Sequence, residues 1–436
     1  MERSRAIIIN DNAEALRAAA SAARMSTQQG TAMEIYAKSL GDEKDLNLLN
    51  KVLSSGHKSV IEHQTFNIAF NDVSVLVEQF VIECRLASFT VKSRRYVDFG
   101  EAGWVCPDGL TDDQKSVYDA AMAARFDDYK KLMELGVPKE DARFVLPYCL
   151  RSNFFMTVNA RELIGLVCAM LYGRGKGFVE IEALGRQLKE QFDRLYPGVI
   201  DKEAARYPRY SPLPMPEAVA TGTDRTGDAV LLDAPRDTEG FLDAVCGFTG
   251  RFRTDDKRAY YQMFTDARPR ELEPLHYTFK IERVSLACVT HFTRHRMLSL
   301  LVPPVARALA DGDYVLPETV QAIPEAEAVY RRAFAAQAEA ARASGLAMEM
   351  LSYFALSGHQ LDLLLSMNLR ELIHFMKLRS CRRAQWEIRG VAWRMLELLK
   401  ADAPAVFSRV GPSCVYGPCP EGKMSCGKPY KTTWEE

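Results

Sequence analysis

The sequence predicts an α+β protein made of two tandem copies of one domain, each a small sheet packed with long helices. Three observations lead there. Matched segments recur in the same order along the chain. Strand-like and helix-like segments follow one another without regular βαβ alternation. A stretch unable to bury a core separates the two halves.

The recurrence is read by setting Glu83 on Arg294, an offset of 211. Glu62 then meets Glu273, Val73-Ser74 meets Val284-Ser285, Arg85 meets Arg296, and Ser88 meets Ser299. Downstream, NARELI (159–164) faces NLRELI (368–373) at 209, and Glu180-Ile181 faces Glu387-Ile388 at 207. Upstream, AIIIND (6–11) resembles AVLLDA (229–234). Ordered matches whose offset drifts slowly are the trace of duplication followed by small insertions and deletions.

Each copy opens with a short apolar strand. A helix follows (AEALRAAASAARM in copy one), then a strand of alternating polarity, HQTFNIAF or HYTFKIER. A buried helix leads into an Arg/Ser motif, and two long helices close the copy. Helical spacing is clearest at 368–400, where Leu372, Phe375, Met376, Ile388, Val391 and Met395 recur near the 3.6-residue period. The join, YPRYSPLPMPEAVATGTDRTGD, carries four Pro and reads as a linker. The expected organisation is a first repeat at 1–206, a linker at 207–228, and a second repeat with a Cys-containing tail at 229–436.

At 436 residues, 47% hydrophobic and 26% charged, the composition is that of a globular protein of two or three domains. A formal net charge of −1 gives no global attraction to nucleic acid or membrane, so any basic site is local. No apolar run approaches the ~18 residues of a spanning helix. The apolar stretch in MERSRAIIINDNAE is too short for a signal peptide, so a cytoplasmic address is expected. The ten Cys are then thiols or metal ligands rather than disulfides.

Two segments concentrate chemistry: LASFTVKSRRY (86–96) and RHRMLS (294–299). Together they resemble the signature of the flavin-dependent thymidylate synthases, an Arg-His-Arg triplet with a Ser three residues on and a second Ser followed by x-Arg-Tyr. AARMS (22–26), GHKSVIEHQTF (56–66), ARFVLPYCLRSNFFMTVNAREL (142–163) and LRSCRRAQWEIR (378–389) resemble further family segments in family order. Each copy is damaged differently. Copy one has Glu83 and Cys84 where the family has Arg and His, Val91 in place of an acidic or amide residue, and Met170 in place of a substrate Arg. Copy two has Pro304 and Ala306 for the loop Ser and Arg, Pro274 for a His, and Ser352 opposite Arg143. What one copy lost, the other mostly kept.

The resemblance implies reductive methylation of dUMP with FAD, methylenetetrahydrofolate and NADPH as reductant. It also implies active sites shared between repeats, and a homodimer standing in for the family tetramer. No nucleic acid or membrane partner is expected. Guanidinium forks suit a phosphate dianion, and by position Ser93, Arg95, Arg143 and Arg379 resemble the nucleotide contacts. Ser26, His63, Asn159, Arg161, Arg294, His295, Arg296, Asn368, Arg370 and His374 fall at flavin positions, although His374 stands where the family often has Asn. Catalysis falls to Arg379, Arg296 and His63, with no covalent nucleophile among the Cys.

Plainer readings stand beside these. Lys92, Arg94 and Arg95 can form a solvated basic edge. His295 can be a core imidazole satisfied by a carboxylate, whereas burying the whole triplet unpaired is costly and asks for a ligand. Arg161 and Arg370 can pair with Glu162 and Glu371, and His63, on an alternating strand, can be structural. Independently, Cys414, Cys419 and Cys426 form C-x4-C-x6-C, and Cys381, in the helix of Arg379, completes four thiolates for zinc or an iron–sulfur cluster. Two other functions compete: a non-catalytic or repurposed flavin- or nucleotide-binding paralogue, and an RNA-binding regulator, which lacks aromatic-rich motifs.

Overall fold

A computed structural model describes residues 3–10, 13–25, 27–207, 210–252 and 258–430. The chain divides into two compact units, residues 1–219 with 323–356 and residues 220–322 with 357–436. The units cut across the sequence repeats, because 323–356 belongs to the first.

The first unit holds β1 (Arg5–Ile8), β2 (Thr65–Ser74), β3 (Ala87–Val91) and β4 (Arg151–Asn159) in the antiparallel order β1-β2-β4-β3. The second holds β5 (Asp228–Asp233), β6 (His276–Ser285), β7 (Ser299–Leu301) and β8 (Gln360–Asn368) in the order β5-β6-β8-β7. Alternation in β2 sends Phe66, Ile68 and Phe70 inward, and in β6 it sends Tyr277, Phe279 and Ile281 inward. One face of each sheet is thereby apolar and must be covered. In the first unit α1 (Ala13–Met25), α4 (Ala160–Tyr172) and α5 (Val179–Asp193) cover it, with Ala19, Leu163, Val167, Leu184 and Leu188 in the core. In the second, α6 (Thr238–Thr249), α9 (Leu369–Arg379) and α10 (Trp386–Asp402) do so, through Leu242, Leu372, Met376, Val391 and Met395.

Matched local devices recur at the sequence offset. The β2–β4 register slips between Phe70 and Val73, and Asp72 adopts φ 51° there; β6–β8 slips between Ile281 and Val284, with Arg283 at φ 54°. Positive φ is costly for a side chain other than Gly, so each bulge is held. Asn153 Oδ1 accepts from Asp72 N–H at 3.0 Å, and Asp362 Oδ1 accepts from Arg283 N–H at 2.9 Å. The bulges turn both strands into helices, α2 (Val75–Ile82) and α7 (Leu286–Phe292), capped by Ser74 and Ser285. Buried Glu180 and Glu387 accept from the N–H groups of those same serines, at 3.0 and 2.7 Å. The first unit adds a long helix pair, α3 (Asp112–Glu134) and α8 (Pro324–Ala343), joined by Arg125 Nη1 donating to the Ala333 carbonyl at 2.6 Å.

Candidate functional site

In the second unit α7 ends after one apolar run and 294–296 forms the following turn. Only His295 faces inward, 4% exposed, while Arg294 and Arg296 are exposed. This corrects the expectation of three buried cations: the turn is too short to bury consecutive side chains on one side. The plainer reading of His295 is the observed one. Its Nδ1 lies 2.7 Å from Glu371 Oε1, and Arg379 Nε donates to its Nε2 at 2.9 Å. Because Arg379 can only donate, Nε2 is the acceptor and Nδ1 carries the proton. Burial, aided by the Arg379 charge and opposed by Glu371, lowers the His295 pKa and keeps the imidazole neutral. Arg379 Nη2 also donates to the His291 carbonyl at 3.1 Å. Phe375 packs on the His295 ring at 4.9 Å, and His374, one turn after Glu371, lies edge-on at 5.7 Å.

This chain of contacts depends on helix phase. Asn368 caps α9 by accepting from Glu371 N–H at 2.9 Å, fixing where the helix starts. Glu371, Phe375 and Arg379 then recur at four-residue spacing and line one face. Arg379 closes the helix, where the dipole favours a cation.

The matching place in the first unit is rebuilt. Cys84 replaces His295, buried Met170 replaces Arg379, and Gly165 replaces His374, while Glu162 is kept. Glu83, in the Arg294 position, pairs with Arg174. The Arg174 guanidinium lies 3.9 Å over the Phe80 ring, and Nη2 donates to the Phe80 carbonyl at 2.6 Å. Burial and the nearby Glu162 push the Cys84 thiol up to about 11, which disqualifies it as a thiolate nucleophile near neutral pH.

The first unit instead gathers the other half of the expected set. Arg95 Nε donates to Glu140 Oε1 at 2.5 Å, and buried Arg143 donates from Nε to the Glu140 carbonyl at 3.0 Å. Ser93 Oγ accepts from Arg95 N–H at 3.3 Å. Arg94 is buried against Glu78 at 3.1 Å, so it is not part of a solvated edge. Ser152 donates to the second oxygen of Glu78.

Asn159 caps α4 through Glu162 N–H at 2.9 Å, as Asn368 caps α9. Arg161 pairs with Glu62 and Arg370 with Glu273, both at 2.6 Å, rather than with Glu162 and Glu371. Adjacent residues on a helix diverge, so Arg161 and Arg370 reach their distant partners more easily. A cavity of about 310 Å³ lies along α4, lined by Arg161, Glu162, Gly165, Lys58 and Cys168 among others. His63 ends a 3-10 turn (Lys58–His63), exposed, and is not on a strand; β2 begins at Thr65. Ser26 lies outside the described residues.

The four cysteines are not brought together. Cys381 falls beyond the α9 C-cap, Ser380. Cys414 Sγ accepts from Tyr430 N–H at 3.5 Å, and Cys426 is exposed. The tail is held by contacts of several kinds: Tyr430 packs on Trp393 at 5.4 Å and under Arg382 at 5.1 Å, Ser413 Oγ donates to the Lys377 carbonyl at 3.3 Å, and Tyr261 donates to the Tyr416 carbonyl at 2.9 Å. Among the described residues, the group of three or more His, Cys, Asp or Glu that brings ligating atoms within 4.8 Å of one another is His295, Glu371 and His374.

Sequence reasoning missed Glu140, Glu78 and Arg174. A signal for each existed: a half-buried Arg needs a carboxylate, and a Glu in an Arg position needs a cation.

The thymidylate synthase complementing protein family (Thy1) matches residues 8–198 and 242–405. The flavin-dependent thymidylate synthase of Geobacter sulfurreducens is 40% identical over 163 residues, 36% of this chain and 70% of that protein. That of Pyrococcus furiosus is 33% identical over 181 residues, 38% of this chain and 74% of that protein. The crystal structure of thymidylate synthase X from Helicobacter pylori with FAD and dUMP aligns with a TM-score of 0.37 at 20% identity, covering 46% of this chain and 99% of that one. Since the family pattern extends over both repeats and most of the sequence, the chain belongs to the flavin-dependent thymidylate synthase family.

Proposed function

We propose that the protein methylates dUMP to dTMP, with methylenetetrahydrofolate as one-carbon donor, FAD as cofactor and NADPH as reductant. The observation carrying this reading is complementary retention. The second repeat keeps the imidazole-held Arg379 with Arg294 and Arg296, and the first keeps Ser93, Arg95 and Arg143. Activity then requires residues of both repeats, and a homodimer of tandem chains replaces four single-copy subunits.

The donor set suits a flavin: exposed Arg294 and Arg296 flank a buried neutral imidazole, matching a pyrophosphate beside an aromatic ring. Asn159, Arg161, Asn368 and Arg370 would add to that binding, and His63 would complete the catalytic group. When bound, reduced FAD supplies the hydride. Arg95 and Arg143 hold the phosphate dianion bidentately. Arg379, oriented by His295 and the His291 carbonyl, hydrogen-bonds the uracil and draws charge from its carbonyl, which makes C5 the nucleophile. No protein thiol attacks the base.

The test is rescue of a thymidine-requiring host by the gene. Growth without thymidine is expected for wild type, and loss of growth for Arg379→Ala. A yellow, flavin-loaded protein that never rescues would favour the non-catalytic paralogue.

A further inference from the structure

We propose that His295, Glu371 and His374 form a binding site for one divalent transition-metal ion, and that filling it releases Arg379 from His295. The three ligating atoms lie within 4.8 Å of one another. Two are buried, and His374 is at the surface, which leaves an entry path and an open coordination position. Glu371 and His374 are three residues apart on α9 and so share a face. Two imidazoles and a carboxylate are a donor set for zinc-like ions, with metal–ligand distances of about 2.0–2.2 Å.

The rearrangement required is small. Tetrahedral ligands at those distances stand roughly 3.4 Å apart. His295 Nδ1 and Glu371 Oε1, now 2.7 Å apart, must open by a fraction of an ångström, while His374 swings inward. The backbone of α9 can stay in place, because exposed side chains change rotamer freely.

The coupling to Arg379 follows from proton positions. With the metal on Nδ1, the neutral imidazole carries its proton on Nε2. Arg379 Nε–H now donates to Nε2 at 2.9 Å, and two N–H groups cannot face each other at that distance. A metal on Nδ1 therefore expels Arg379 from this contact, and Arg379 in place opposes the metal. At the matching positions the first repeat carries Cys84 and Gly165, which do not supply these two imidazoles.

The metal site requires only this donor geometry and not the proposed reaction. Cobalt(II) titration of the full chain, followed by visible d–d absorption, tests it. One ion per chain is expected, without the near-ultraviolet thiolate charge transfer that the cysteine tail would produce. His374→Asn should weaken binding by at least tenfold, a loss typical even of outer-shell partners, while His276→Asn leaves it unchanged. Arg379→Ala should tighten binding by roughly tenfold, equivalent to one charge-assisted hydrogen bond no longer broken. Circular dichroism of each variant reports folding, and the exposed His374 can be replaced without touching the core. Absence of cobalt binding, thiolate bands, or equal affinity of wild type and His374→Asn would overturn the proposal. If cobalt binds as described and host rescue fails, the reaction assignment falls and the metal site stands.

Discussion

Glu371→Ala and Glu162→Ala remove the same side chain from the same place in the two repeats. Each Glu is the third residue of its helix behind an Asn cap, so losses in helix propensity and dipole interaction cancel between the variants. The partner differs. Glu371 accepts from His295 Nδ1–H at 2.7 Å, with both residues buried, whereas Glu162 faces the Cys84 position. Removing Glu371 strands an imidazole N–H where water is scarce, and hydrogen bonds to charged groups are worth about 1.5–3 kcal/mol. Glu371→Ala should therefore be less stable than Glu162→Ala by about 2 kcal/mol, a Tm difference of about 4–8 °C for a unit of this size. Calorimetry of both variants at neutral pH measures it. dUMP turnover should fall at least about tenfold in Glu371→Ala alone, because the imidazole that orients Arg379 loses the carboxylate that fixes its tautomer and position. Equal Tm losses would refute the idea that the His295–Glu371 contact distinguishes the repeats.

Three further expectations follow from individual contacts. Burial raises the Glu180 pKa, so the folded carboxyl holds its proton more tightly than the unfolded one at 4.5; stability is full below that value and declines as pH rises through the folded pKa. Glu180→Gln should therefore gain on wild type in urea midpoint above pH 4.5, and a pH-independent difference would contradict this. Glu140→Ala releases Arg95 and should raise the KM for dUMP by about tenfold with little change in Tm, since both partners are partly exposed; an unchanged KM would sink its positioning role. Glu83→Arg places a guanidinium against Arg174 and should cost about 1 kcal/mol, largely recovered in Glu83→Arg/Arg174→Glu; additive losses in the double-variant cycle would exclude direct pairing.

Local periodicity and repeated order carried the architecture. The alternation of Phe66, Ile68 and Phe70 and the equivalence of Glu180 with Glu387 were readable along the chain, because each depends on neighbours a few residues away or on a constant offset, whereas the capping of α4 and α9 by Asn159 and Asn368 emerged only from the structure. The Arg/His/Ser motifs were likewise enough to indicate the family. The charge state and partner of each motif residue were not readable, since they depend on burial and on groups far away in sequence. His295 and Arg379 meet across 84 positions, Arg95 and Glu140 across 45, and Arg174 and Glu83 across 91. The four cysteines that spacing grouped do not cluster in this way: among the described residues no three of them bring their thiols within 4.8 Å of one another, Cys381 lies just beyond the α9 cap, and Tyr430 of the tail packs on Trp393. Sequence thus determined which side chains were available in each repeat, and tertiary structure decided their partners, because a buried charge or polar group must be satisfied by whatever the fold brings within hydrogen-bond reach.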